Sequence, residues 1–497
     1  VTYNLAFKPV FTTLLTYKEP MTISTTGWLN LSWILLDLVI VAILIPTILL
    51  QRRESGATLA WILVIVFIPF IGLIAFWLLG TTRLHLRRRK RHKVESLLAP
   101  GIERLQTHAE QNAEPDLAPP SLIHLARQFD GNGPLAGNRI EIYRSGQLLF
   151  DHLQLAIDKA TQHVHLDYYI WQTDNTGESV RDTLVRAANR GVEVRLLIDD
   201  VGSRATKRAF FHPLQSAGGR IKRFLPVNPL NRQLALNNRN HRKLVIIDGD
   251  QAFIGGMNVG DQYAAKSESW IDLHARVEGP VVHSIQETFC QDWFHATAED
   301  LVSRDYFPAL EHYGPVHAQL LSSGPADERW RSIHLFIFTA ITLAQQKVFI
   351  ETPYFVPDQP ILLALRTAAL RGIDVRLLLP SQSDHPLVLH AGRSFQDQLL
   401  QAGVRIFEQK SSMTHAKTMT IDGYLSTIGS ANMDQRSFRL NFESNLFLFD
   451  ESITEQMERE FLKLCDSADE IQLVDRKTLT RTRKMVESVC RLLAPLL

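Results

Sequence analysis

Two long apolar runs open an otherwise mixed chain. Leu31–Leu50 carries one charge, Asp37, and Thr58–Gly80 carries none. At about 1.5 Å per residue, each is long enough to cross the ~30 Å hydrocarbon core of a bilayer. Core helices of soluble proteins seldom stay apolar on every face over such a length. Trp28, Trp33, Trp61 and Trp77 stand near the run ends, as interfacial anchors do, and Pro46 and Pro69 are tolerable inside such helices. The short Gln51–Ala57 connection joins the runs into a transmembrane hairpin over residues 28–80, with spans at 31–50 and 58–80. Residues 1–27 read as an N-terminal extension. Its first twenty residues lack an apolar core, so no cleavable signal peptide is expected.

Beyond the hairpin the pattern changes twice. Seven basic residues and no acid lie between Arg83 and Lys93, which places that end of the hairpin in the cytoplasm against the two arginines, Arg52 and Arg53, of the loop. Pro100–Gly137 is rich in Pro and Gly and reads as a mostly exposed linker with a short helix at Ser121–Phe129, so residues 81–137 are tract and linker.

Short β-branched runs then alternate with helical patterns, and the order occurs twice. A helix, VHLDYYIW, a second helix and GVEVRLLID in residues 156–199 match a helix, VFIETPYFV, a second helix and GIDVRLLLP in residues 340–380. Gly191 and Gly372 fall at matching helix ends, where left-handed backbone favours glycine. GGRIKRF (218–224) parallels AGVRIFE (402–408). The fold expected is α/β: two repeats, each a mostly parallel or mixed sheet with helices on both faces, packed with pseudo-twofold symmetry. The halves are set at 138–314 and 315–475, followed by a C-terminal helix at 476–497. In that helix Leu479, Met485, Val486, Val489 and Leu493 are spaced for one apolar stripe. Such a stripe suits either a membrane surface or packing on the second half.

Each half carries the same polar signature. His241, Lys243 and Asp248 precede Gly255-Gly256-Met-Asn258, while His415, Lys417 and Asp422 precede Gly429-Ser430-Ala-Asn432. The His-to-Lys, His-to-Asp and His-to-Asn spacings are 2, 7 and 17 in both. The first half also holds an insertion near PLNRQLALNNRN, just before its motif. Residues i and i+2 of a strand share a face, so each His sits beside its Lys. Two such faces opposed across a pseudo-twofold interface make one site suited to a phosphodiester. Lys243, Lys417, Asn258, Asn432 and Ser430 can hold non-bridging oxygens. One imidazole can attack phosphorus while the other protonates the departing oxygen. Built-in cations make a metal unnecessary, and no cofactor is expected. Each imidazole needs an acceptor on its second nitrogen, and Asp272 and Glu443, 31 and 28 residues past the two histidines, are candidates.

Charge and cysteine content narrow the partners. The net charge is +1, but residues 1–93 hold 11 Lys/Arg and 3 Asp/Glu, leaving 42 basic and 49 acidic residues in the rest. An acidic body argues against a nucleic-acid substrate, and the basic tract suits an anionic lipid surface. Three scattered cysteines form neither a disulfide framework nor a zinc motif.

The duplicated motif resembles that of the phospholipase D superfamily. Within it, DYYIWQ (167–172), NHRKLVIIDG (240–249), ETPYFVPD (351–358) and ANMDQRSFRLNFESN (431–445) resemble the bacterial cardiolipin synthases, as do the hairpin and the ending CRLLAPLL. Gly256 departs from the family's usual Ser, present as Ser430, which removes one hydroxyl from a phosphate contact. The resemblance implies transfer of a phosphatidyl group from one phosphatidylglycerol to another, through a phosphatidyl-histidine, giving cardiolipin and glycerol. His241 is taken as nucleophile and His415 as acid then base. Each motif Asp is implied to be structural or electrostatic rather than a proton carrier. A hydrolytic phospholipase D, or a transferase using another alcohol or phosphatidylethanolamine, would share this mechanism. The implied location is the bacterial cytoplasmic membrane, with the catalytic halves on the cytoplasmic side.

Overall fold

The computed structural model describes residues 25–50, 55–79, 105, 107–108, 117–227, 237–264, 270–301, 306–309, 311–325, 331–410 and 412–492. Residues 1–24, the basic tract 83–93 and most of the insertion before His241 lie outside them.

The chain divides at residue 81 into two units. The first is helical: α1 (Thr25–Leu50), α2 (Ser55–Phe67) and α3 (Pro69–Leu79). The second predicted run is thus divided at Ile68, because Pro69 has no N–H to give. The ladder resumes on either side, with Ile68 N–H donating to Val64 (2.9 Å) and Gly72 N–H to Ile68 (2.7 Å). Ile40, Leu44, Ile48, Ile65 and Phe76 are buried among these helices, while Leu38, Ile43, Leu59, Phe67 and Ile71 are exposed. Among the described residues no helix is long and apolar enough to cross a membrane; in α1 the side chains are described without a break only over 35–50.

The second unit is built on one sheet of 15 strands. Strand Leu135–Tyr143 pairs antiparallel with Val316–Ser323 at its centre, and the two halves extend outward from that seam. On one side follow His274–Glu278, Gln251–Gly255, Lys243–Ile247, His163–Tyr168, Glu193–Asp199 and Arg220–Phe224. On the other follow Glu443–Phe449, Leu425–Gly429, Thr418–Ile421, Lys347–Glu351, Asp374–Pro380 and Arg405–Gln409, then Asp469–Ile471. The order in each half is the same. The sheet is mixed: only the outer strands of each half run parallel, and the motif strands pair antiparallel. The halves therefore share one sheet as well as facing each other.

Gly191 and Gly372 adopt φ of 91° and 89° at their helix ends, as expected. The short helix expected in the linker is present, but it is packed where an exposed segment was expected. Pro120–Asp130 is a helix whose Leu122 and Ala126 are buried in the second half's core, and Gln319 donates to its Asp130 carboxylate at 2.8 Å. The first strand begins at Leu135, within the segment read as linker, because its apolar positions are masked in sequence by neighbouring glycines.

Candidate active site

The motif strands Lys243–Ile247 and Thr418–Ile421 are wholly buried β-branched and apolar runs, so their registers are fixed by the core. Each histidine sits just before its strand and is strapped to the opposite half. His241 N–H donates to the Phe442 carbonyl (2.9 Å), and His415 N–H donates to the Ile271 carbonyl (2.6 Å). The residues next to those carbonyls are Glu443 and Asp272.

The pairing is crossed. His241 Nδ1 lies 3.0 and 3.1 Å from the Glu443 carboxylate oxygens. His415 Nδ1 lies 2.7 Å from Asp272 Oδ2. Each carboxylate therefore meets the imidazole of the other half, not the one it follows in sequence. All four side chains are buried, and Lys243 and Lys417 are buried beside them. Charge on Lys417 acts on His241, and charge on Lys243 acts on His415, so the two motifs form one electrostatic site.

The two histidines are not equivalent. His241 Nδ1 faces only acceptors, namely Glu443 and the Ser430 carbonyl at 3.0 Å. It must carry the proton, which leaves the Nε2 lone pair free. His415 Nδ1 faces the Lys417 ammonium at 2.7 Å as well as Asp272. The ammonium disfavours a proton on Nδ1 and the carboxylate favours one, so His415, unlike His241, has a cation competing at the nitrogen its carboxylate holds. Burial holds His241 below the ordinary imidazole range, and burial with the two lysines holds His415 well below it. Burial pushes Lys243 down to about 7 and lowers Lys417. Burial raises Asp272 against the pull of Lys417. Burial also acts to raise Glu443, but His241, Lys243 and Ser430 outweigh it and keep the carboxylate ionised.

The glycine asymmetry has a steric cause. Ser430 Oγ donates to Glu443 at 2.5 Å and accepts from Ser444 N–H at 3.0 Å, so its hydroxyl fixes a carboxylate instead of reaching for phosphate. At Gly256 a Cβ would lie 2.2 Å from Asp272 Oδ1. The shorter carboxylate occupies the space that a serine side chain would need. Asn258 is also engaged within its own half: it accepts from Ile170 N–H (3.1 Å) and donates to Tyr263 Oη (3.1 Å). Asn432 Oδ1 is buried with no hydrogen-bond partner among the described residues.

Asp248 and Asp422 stand apart, at the far ends of their strands, in left-handed turns with φ of 52° and 51°. Asp248 accepts from the amides of Thr161, Gln162 and His163 (2.8–2.9 Å), and Asp422 from those of Gln345, Gln346 and Lys347 (2.7–2.8 Å). They clamp the neighbouring strand and touch neither imidazole. Asp248→Ala should therefore lower stability by about 2–4 kcal/mol through lost bonds and backbone strain, read as a lower melting temperature with little change in KM.

Several residues at the site were not singled out from sequence. Tyr169 meets His241 edge-on (4.9 Å between rings), and Trp270 and Tyr354 lie 4.9 and 6.2 Å from His415. Tyr169 and Tyr354 sit at similar places in the repeated segments DYYIW and ETPYF, which was the available signal. Beneath the histidines, Asn240 donates to Asp167 (2.8 Å) and Thr414 to Glu351. Arg242 is buried, bonds Asp292, and donates to the carbonyls of Glu443 (3.2 Å) and Ser323 (3.1 Å), stitching the halves together.

Comparisons with known proteins agree with this architecture. The family described as "Cardiolipin synthase, PLD-like domain" matches residues 153–293 and 337–465, and "Phospholipase D-nuclease N-terminal" matches residues 32–80. The chain is 36% identical to a cardiolipin synthase of Listeria monocytogenes serotype 4b over 464 residues, covering 91% of this chain and 96% of that one. It is 38% identical to the major cardiolipin synthase ClsA of Bacillus subtilis over 492 residues, covering 94% and 100%. Among solved structures, phosphatidylserine synthase from Haemophilus influenzae superposes with a TM-score of 0.59 at 14% identity, covering 76% of this chain and all of that one, which is a likeness of fold. The chain belongs to the cardiolipin synthase family of phospholipase D-like proteins.

Proposed function

We propose that this chain is a cardiolipin synthase that makes cardiolipin and glycerol from two molecules of phosphatidylglycerol. The observation that carries the mechanism is the crossed pairing, which sets two unlike imidazoles and two lysines in one buried site. His241 Nε2 attacks phosphorus and forms a P–N bond. The glycerol oxygen leaves with the proton from His415 Nε2. In the second step, a hydroxyl of another phosphatidylglycerol gives its proton to His415 and attacks phosphorus, and the P–N bond to His241 breaks. Lys243 and Lys417 offset the charge that builds on the non-bridging oxygens. The empty site keeps His415 neutral, and the anionic phosphodiester favours its protonated form on entry.

The exposed apolar residues of α1–α3 support a membrane location, since a soluble surface rarely shows so large an apolar patch. On this reading residues 31–50 and 58–80 lie in the bacterial cytoplasmic membrane, and the catalytic halves work on its cytoplasmic side.

Incubating the purified chain with phosphatidylglycerol vesicles tests the assignment. Cardiolipin and glycerol should appear in equal amounts. Phosphatidic acid as the main product would show that water is the acceptor.

A further inference from the structure

Helix Arg481–Leu492 is mounted with its apolar side outward. Its inner face carries Glu487 and Cys490, both buried. Glu487 accepts two bonds from Arg476, at 3.1 and 2.6 Å. Arg476 is itself buried and also donates to Asp397 (2.6 Å) and to the Arg393 carbonyl (3.0 Å). Turning the helix about its axis would strand this buried pair without partners, which is strongly unfavourable. The ion pair therefore fixes which face looks out.

That outer face holds Met485, Val489 and Leu492, with relative exposures of 66%, 52% and 76%, and the exposed Val486. At about 100° per residue they form one stripe, and Arg481, Lys484 and Arg491 fall along one margin of it. The helix's one acid, Glu487, is taken up by Arg476, so the outward surface is apolar and basic. This combination suits an anionic lipid interface.

The helix packs against Pro386–Arg393, on which Leu387 is also exposed. That second helix begins at the site. The His385 ring is tilted against that of Tyr354 (5.6 Å between rings), Tyr354 Oη donates to Asp384 at 2.7 Å, and Tyr354 borders His415. The outward stripe is thus connected to the catalytic histidine through two packed elements.

We infer that the outer face of Arg481–Leu492, with Leu387, is a docking surface for an anionic bilayer that holds the cleft beside His415 against its lipid source. The inference rests on the lipid-transfer reading for its purpose, but the docking itself is independent of which product forms. The test uses the full chain in vesicles of phosphatidylglycerol and phosphatidylcholine, with a nitrobenzoxadiazole label at Val489→Cys or, as control, at the exposed Leu155→Cys. The native Cys290, Cys465 and Cys490 are buried. Nitroxide-bearing lipid should quench the label at 489 and iodide should not, with the opposite result at 155. Quenching at 489 by iodide alone, or shielding from both agents as a protein partner would give, overturns the inference. A Val486→Asp/Val489→Asp chain should lose about tenfold in turnover of vesicle lipid yet keep its turnover of a monomeric short-chain phosphatidylglycerol. Equal losses on both substrates would mark the face as a packing surface and overturn the proposal as well. Phosphatidic acid as product would sink the synthase reading while leaving these quenching results intact.

Discussion

His241→Ala should lower turnover by at least about 10⁴-fold and abolish any covalent phosphatidyl-enzyme, because the attacking atom is gone. His415→Ala should lower turnover of phosphatidylglycerol comparably but for another reason. Its leaving glycerol oxygen is a poor leaving group without a proton. A phosphatidyl ester of p-nitrophenol removes that need. With it, His415→Ala should release one equivalent of nitrophenol and stall, whereas His241→Ala should release none. The basis is the geometry at the two Nδ1 atoms: His241 meets only acceptors, and His415 meets an ammonium as well as the Asp272 carboxylate. The reverse pattern in the burst assay would exchange the two roles.

Glu443→Gln should cost about 10⁴-fold in kcat, the scale seen when an orienting carboxylate is neutralised in other histidine-dependent enzymes. It should also move the pH profile. In the intact site, burial lowers His241 while the Glu443 charge partly restores it. Removing that charge lowers the imidazole further, so the acid limb of kcat/KM should shift to lower pH. The alkaline limb has a different origin. Burial pushes Lys243 down to about 7 in the free site. A lysine is charged below its pKa, so its grip on phosphate is present below about 7 and lost as pH rises through it. kcat/KM should therefore fall above neutrality, while kcat should fall later, because bound phosphodiester favours the ammonium. A carboxylate with a merely structural role would change kcat without moving the acid limb.

Much of this site was legible in the sequence because local patterns carried it. The HxK spacing on an apolar run fixed which side chains share a face, and the matching Gly and Asn positions identified the repeat. The Asp-Gly turns were equally local. What the sequence left open were contacts made across the seam. Asp272 and Glu443 stood out as carboxylates, but nothing in a single chain says that each serves the other half's histidine. Arg242 was invisible for a related reason: it alternates with His241 and Lys243, points to the opposite face, and has only Ala416 as its counterpart. The expected roles of Ser430 and Gly256 changed once space was measured, since a hydroxyl that holds Glu443 and a gap that admits Asp272 look like a simple substitution in sequence. The helix at Pro120–Asp130 was foreseen, but its packing into the second half's core was not.

Both halves of the chain serve a single phosphorus atom in this mechanism. Quenching the chain in acid-free denaturant during steady turnover of phosphorus-labelled phosphatidylglycerol, then mapping the label, measures this directly. One equivalent per chain at most, confined to the peptide bearing His241, is the predicted result. Two equivalents, one on each motif histidine, would mean two separate sites and would contradict the account.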